Sequence, residues 1–181
     1  MQGLSSNSDE KIMTVIALNP NGIRAYFKNS ATEVKRMIAE YDPDIIIWNE
    51  TKGNEKMQKE MQKAVDDVLE GKDWNGENRK YSWYWNNSER AAGRHGLCIS
   101  IKTSLVPLIK SIKYGFCFEN HKEPEGRLIT LEFEKFSVVG LYAVNAGMSK
   151  CDRLQYKQEW LAKLMVHCEI LESKGKGVIV M

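Results

Sequence analysis

The sequence predicts an α/β fold, and two observations carry that expectation. An apolar, β-branched run, "IMTVIAL" (12–18), leads through an amphipathic stretch to a second apolar run in "DPDIIIWNE" (42–50). Strand, helix and strand over this length make a βαβ unit with a parallel pair. The far end of the chain repeats the alternation: the long helical pattern "DRLQYKQEWLAKLMVHCEILESKG" (152–175) runs into a new strand, "GKGVIVM".

The elements follow in order. Residues 1–11 are polar and read as a disordered lead-in to a domain over 12–181. In "SATEVKRMIAEY" (30–41), Ser30 is placed to cap, Glu33 completes a capping box, and Val34, Met37, Ile38 and Tyr41 form an apolar stripe. Residues 55–70 are helical, with Met57, Met61, Ala64, Val65 and Val68 on one face, and Gly71 supplies the stop. The polar stretch 71–80 is a loop. Strands are expected near 81–86, 96–102, 107–114, 126–134 and 137–144, the last two joined by a tight hairpin at "EKF".

Composition excludes more than it identifies. The 181 residues are 43% hydrophobic and 28% charged, ordinary for a globular domain with its own core. A net charge of +2 lacks the strong basic footprint of many nucleic-acid binders, although a balanced total can hold a local patch. The four cysteines are widely spaced with no C-x-x-C pair, which argues against a zinc knuckle and for free thiols in a reducing compartment. No apolar run reaches membrane-spanning length and the polar N-terminus lacks the apolar core of a secretory signal, so no membrane partner is expected and the expected setting is intracellular: nucleus, cytoplasm or an organelle.

The chemistry-bearing residues sit at strand ends. Asn19 and Asn21 follow the first strand and Glu50 closes the second, so parallel pairing brings them together. A carboxylate after an apolar run needs a partner. A Mg²⁺ ion held by carboxylate and amide oxygens is one answer; an ion pair with Lys52 is the other. In "GLYAVNAG", Tyr142 and Asn145 end another strand, and on local pattern alone they read as a buried tyrosine followed by an Asn-Ala-Gly turn. In "GRHG" (93–96), glycines on both sides allow close approach to a phosphate or simply shape a loop, and His95 alone is weak support for a general base.

Five segments in order, "NPNGIRA", "PDIIIWNETK", "EGRLITLEF", "LYAVNAG" and "RLQYKQEW", resemble the exonuclease III / apurinic-apyrimidinic (AP) endonuclease branch of the endonuclease/exonuclease/phosphatase superfamily, from about residue 13 to the last residue. The resemblance implies the N-terminal part of a four-layer α/β/β/α sandwich, and Mg²⁺-dependent hydrolysis of the phosphodiester 5′ to abasic sites in double-stranded DNA, with Mn²⁺ as an alternative metal. Glu50 matches the metal-holding glutamate, Asn19 the asparagine that braces it, and Asn21 a position near the metal. Arg24, Ala25 and Lys28 match a loop that touches the DNA backbone, and Lys52 and Arg94 join that DNA-facing set. Tyr142 matches the active-site tyrosine and Asn145 a phosphate-binding asparagine. The chain departs from the pattern at Val144, where proline is usual, at Met148, where some members carry a DNA-inserting arginine, and at Arg94, where tyrosine is common.

A larger departure lies at the C-terminus. The family's Gly-Asp-x-Asn after the strand matching "GVIVM", and its later Ser-Asp-His, have no counterpart here. The expectations are a truncated domain with no significant nuclease activity of its own and an inner sheet face open to water, to be covered by further polypeptide or a second chain. The alternatives are a non-catalytic half-fold binding or scaffold protein, or a related phosphodiesterase on RNA or another phosphoester.

Overall fold

The computed structural model describes residues 12–69, 71–91, 93–147 and 151–181. The lead-in over 1–11 and Met148 lie outside the described residues. The elements run β1 (Val15–Leu18), α1 (Ile23–Tyr41), β2 (Ile45–Asn49), α2 (Glu55–Leu69), β3 (Tyr81–Asn86), β4 (Leu97–Lys102), a 3₁₀ segment (Thr103–Leu108), β5 (Ser111–Lys113), β6 (Leu128–Glu132), β7 (Phe136–Leu141), α3 (Cys151–Glu172) and β8 (Gly177–Val180).

They form two four-stranded sheets, ordered β1-β2-β4-β3 and β5-β6-β7-β8. The β1–β2 and β7–β8 pairs are parallel, each bridged by one helix, and the other pairings are antiparallel. Alternation of side chains across each strand builds three apolar layers. Ile46, Trp48 and Cys98 face outward onto Phe27, Val34, Ile38, Met61 and Val65 of α1 and α2. Ile45, Ile47, Ile99 and Ile101 face inward and meet Ile129, Leu131 and Val138 of the second sheet. Leu128 and Val139 face the other way, onto Trp160 and Leu171 of α3. The result is the expected four-layer α/β/β/α sandwich.

The expectation of an inner sheet face open to water is corrected. The two sheets turn their inner faces to each other, and residues on those faces, such as Ile47, Ile99 and Val138, are fully buried. Apolar exposure lies instead at the margins. β1 is half-buried throughout, Ile179 and Val180 of β8 are 39% and 45% exposed, and Leu154, Met165 and Val166 of α3 face solvent.

Two element expectations also change. The first helix begins at Ile23 rather than Ser30, and Ser30 sits at a kink with φ −128° and ψ 25° instead of capping. Burial explains it: Ile23 and Phe27 are core residues, and Gly22 N–H and Ile23 N–H donate to the Glu50 and Thr51 carbonyls at 2.8 and 3.0 Å. Tertiary packing therefore extends the helix past a residue that locally prefers a cap. Arg24, Ala25 and Lys28 consequently lie on helix, not on a loop. The strand expected over 107–114 shrinks to Ser111–Lys113, because Pro107 lacks an N–H for a ladder and closes a 3₁₀ segment. The β6–β7 hairpin at "EKF" forms as expected, with Phe133 N–H donating to Phe136 O at 2.8 Å.

Candidate functional site

The C-terminal ends of β1, β2 and β7 converge on a cleft of about 780 Å³ lined by Glu50, Lys52, Arg94, His95, Glu125, Arg127, Tyr142, Asn145 and Arg153. Its first wall is the turn after β1 locked to the turn after β2. The Asn19 Oδ1 accepts from Asn21 N–H at 2.9 Å, and Asn19 Nδ2 donates to Glu50 Oε2 at 3.3 Å. Glu50 and Lys52 both adopt φ of 53°, and Asn21 φ of 50°, in the left-handed region. Non-glycine residues hold this conformation only where their surroundings fix it, and such positions cluster at functional sites. The fixing bonds are Gly22 N–H to Glu50 O at 2.8 Å, Thr51 N–H to Gly96 O at 3.1 Å and Lys52 N–H to His95 O at 2.9 Å.

One cation occupies the focus of these oxygens. The Lys52 ammonium lies 3.3 Å from Glu50 Oε1 and donates to Asn21 Oδ1. The ion pair offered as the alternative to a metal is therefore present in the structure. The same geometry tests whether the residues fit a divalent ion: a carboxylate and an amide oxygen already converge on a single positive centre, the donor set of a hard cation. Among the described residues no group of three or more His, Cys, Asp or Glu forms a metal cluster. A cation here would thus be held by one carboxylate and neutral oxygens, with its other positions left for water or phosphate, as suits Mg²⁺.

The second wall is a buried charge network that sequence reasoning missed. Arg127 is 1% exposed. Its Nε donates to Glu125 Oε2 at 2.7 Å, and its NH1 donates to the carbonyls of Tyr142 and Ala143 at 3.0 and 3.1 Å. Its NH2 lies 2.8 Å from His95 Nδ1, and its guanidinium carbon sits 4.6 Å from the Tyr142 ring centre. Arg153, from the first turns of α3, grips the Glu125 carboxylate with two bonds of 3.0 and 3.1 Å. Burial alone would raise Glu125, but the bonds from Arg153 and Arg127 outweigh it and hold the carboxyl at about 2. Burial and the negative Glu50 raise Tyr142, against the pull of Arg127, so the phenol stays protonated. Burial, then the positive Arg127, lowers His95 and favours its neutral form.

The cleft brings together Glu50, Lys52, Arg94, Tyr142 and Asn145; Asn19 and Asn21 are exposed and outside its lining, bonded to Glu50 and Lys52. It does not line itself with Arg24, Ala25 or Lys28: Arg24 turns to α2 and pairs with Glu60 at 3.0 Å, and Ala25 and Lys28 are exposed on α1. Asn145 Oδ1 accepts from Gly147 N–H at 2.9 Å, an Asx turn that forms without the proline usual before it. Val144 is buried at 2% exposure against Trp160, which anchors the turn by packing. The missed residues are Glu125, Arg127 and Arg153. For the first two the signal was the E-G-R triplet opening a strand, where two charges next to an apolar run must find partners.

No protein-family model matches the chain. Among curated proteins it is 32% identical over 148 residues to the DNA repair nuclease APEX1 of Danio rerio, covering 82% of this chain and 41% of that protein. It is 29% identical over 172 residues to an exodeoxyribonuclease of Bacillus subtilis, covering 93% of this chain and 56% of that one. The chain thus spans about half the length of the curated relatives it matches. Among solved structures it superposes on an AP endonuclease from Leishmania major with a TM-score of 0.66, 22% identity, and 86% and 47% of the two chains covered. A 3′ phosphatase from Neisseria bound to product DNA hairpin gives 0.65, at 17% identity, with 93% and 56% covered. These two likenesses speak for the fold, and they agree with the sequence relatives: the chain belongs to the exonuclease III / AP endonuclease family, with the endonuclease/exonuclease/phosphatase fold.

Proposed function

We propose that this chain forms the metal- and phosphate-binding part of a DNA-repair hydrolase of the AP endonuclease / 3′–5′ exonuclease type, acting on the phosphodiester 5′ to an abasic site in double-stranded DNA. One observation carries the reading: Glu50, Asn21 and, through its bond to Glu50, Asn19 focus oxygen ligands on a single cation at the mouth of a cleft that also holds Tyr142, Arg94 and Asn145. A divalent ion bound there, Mg²⁺ or Mn²⁺, supplies charge neutralisation on the phosphate. The chain's own residues do the rest. Asn19 orients the Glu50 carboxylate. Tyr142, kept protonated, offers its O–H to a phosphate oxygen. Arg94 and Asn145 flank the cleft as contacts to the DNA backbone.

Water activation has no agent among the described cleft residues. Glu125 is held at about 2 between Arg127 and Arg153, Glu50 is committed to the cation position, and His95 already accepts from Arg127. A base must accept the water's proton, and each of these groups is either too weak or engaged. The 181 residues are therefore expected to bind an abasic duplex in the presence of Mg²⁺ without cutting it. Gel shift and cleavage assays on one labelled duplex check both halves. Duplex binding unchanged by Glu50→Ala would overturn the metal–phosphate reading, and Glu50-dependent cutting would overturn the absence of a base.

A further inference from the structure

We propose that His95 is a neutral hydrogen-bond donor to a phosphate oxygen in the cleft, and that Arg127 acts as the positioning residue that fixes it in that role. The proposal rests on the phosphodiester reading of the same cleft.

The geometry is specific. His95 holds φ of 56°, a left-handed conformation rare outside glycine, and its carbonyl is bonded to Lys52 N–H at 2.9 Å. The ring is therefore anchored through the backbone to the turn that carries Glu50. Its Nδ1 lies 2.8 Å from Arg127 NH2. A guanidinium has only N–H donors, so Nδ1 must accept, and the neutral ring carries its proton on Nε2. That N–H forms no hydrogen bond among the described residues. Glu125 Oε1 is 4.0 Å away, beyond hydrogen-bond reach, and both Glu125 oxygens are taken by Arg127 and Arg153. The charged groups around the ring are Arg127, Glu125, Arg153 and Glu50. Protonating Nδ1 would set an N–H against the donor face of Arg127, so the contact that fixes the tautomer also excludes the imidazolium.

The ring thus has one unused group, a donor, on a cleft that Lys52, Arg94, Tyr142 and Asn145 also line and whose two carboxylates, Glu50 and Glu125, are already paired with Lys52 and with Arg127 and Arg153. A donor without an acceptor in a basic cleft fits an anionic oxygen, and a phosphate supplies it. The same geometry excludes His95 as the base: its only ring lone pair is engaged by Arg127.

Two measurements on the 181-residue chain test this. Long-range ¹H–¹⁵N spectra of His95 are expected to show the neutral Nε2–H form across about pH 6 to 8, and Arg127→Gln is expected to release it into a mixture of tautomers. A charged ring or an Nδ1–H form in the unaltered protein would overturn the proposal. Binding of an abasic-analogue duplex in Ca²⁺ is then compared for His95→Gly, which relieves the left-handed strain but removes the donor, and His95→Gln, which keeps an N–H at similar reach. About a tenfold loss for His95→Gly with recovery in His95→Gln is expected. If the unaltered protein binds and His95→Gly binds equally well, the contact is refuted while the cleft reading stands. If the unaltered protein does not bind the duplex at all, the cleft reading fails and takes the contact with it.

Discussion

Arg127 is the side chain on which the second wall of the cleft depends. It bonds a carboxylate, two carbonyls and an imidazole, and stacks over a tyrosine, from a fully buried position. Removing one member of a buried charge pair costs more than the pair contributes, because the remaining groups stay desolvated. Arg127→Met is expected to lower stability by about 3 kcal/mol in urea unfolding. Arg127→Lys is expected to recover little of it, since an ammonium cannot serve three directions in one plane. Two other buried groups set the acid response. His167 is buried, accepts from Cys117 N–H at 2.9 Å and lies 2.9 Å from Thr130 Oγ1. Burial lowers it from 6.5 to about 4. The unfolded chain takes up that proton first, so its stabilising contribution is whole above pH 6.5 and is lost as pH falls toward about 4. Glu125, lowered from 4.5 to about 2, adds a second loss below pH 4.5. Unfolding free energies across this range should therefore fall in two stages, and His167→Gln should flatten the upper one. The sequence signals only that the charges of the E-G-R triplet need partners. His167 falls in an amphipathic helix like any polar residue, and the E-G-R triplet does not say that its arginine turns inward. Burial of that charge is decided by Tyr142 and Ala143 just past β7 and by His95 before β4, with Arg153 of α3 holding Glu125, all distant in the chain.

At the scale of elements, the site is held by backbone close approaches. Gly126, with φ of 67°, opens β6 beside the end of β3, where an added Cβ would lie 2.7 Å from the carbonyl carbon of Asn87 and against the Asn86 carbonyl oxygen. Neither is a side chain that can swing away. Gly126→Ala is expected to cost about 2–4 kcal/mol, whereas Gly76→Ala, at φ of 80° in open space, should cost about 1 kcal/mol. Thermal or urea unfolding of both variants checks the contrast. Element order was readable because period and length were strong: the β-branched runs, the Met-Met-Val stripe of α2 and the tight "EKF" hairpin each point one way. The start of α1 was not, because the local cap signal at Ser30 competes with burial of Ile23 and Phe27 against strands not adjacent in sequence. The residues carried over as a DNA-gripping loop moved onto that helix with it. The 3₁₀ segment was missed because alternation around Pro107 imitates a strand.

At the scale of the whole molecule, the two sheets bury each other's inner faces, so the cleft sits at the ends of strands fixed by a continuous core. Parallel pairing of β1 with β2 places Asn19 and Glu50 side by side, and the facing sheet delivers Tyr142 and Arg127 to the same rim. This convergence was legible from strand order alone; the ammonium at its centre was legible only as one of two alternatives. The central claim is that the Glu50 and Asn21 oxygens form a divalent-cation position that Lys52 now fills. The most direct measurement is Mn²⁺ binding by electron paramagnetic resonance, on the unaltered chain, Lys52→Ala and Glu50→Gln. A single site that tightens about tenfold in Lys52→Ala and vanishes in Glu50→Gln is the predicted result. Mn²⁺ binding that is the same in all three proteins would contradict it.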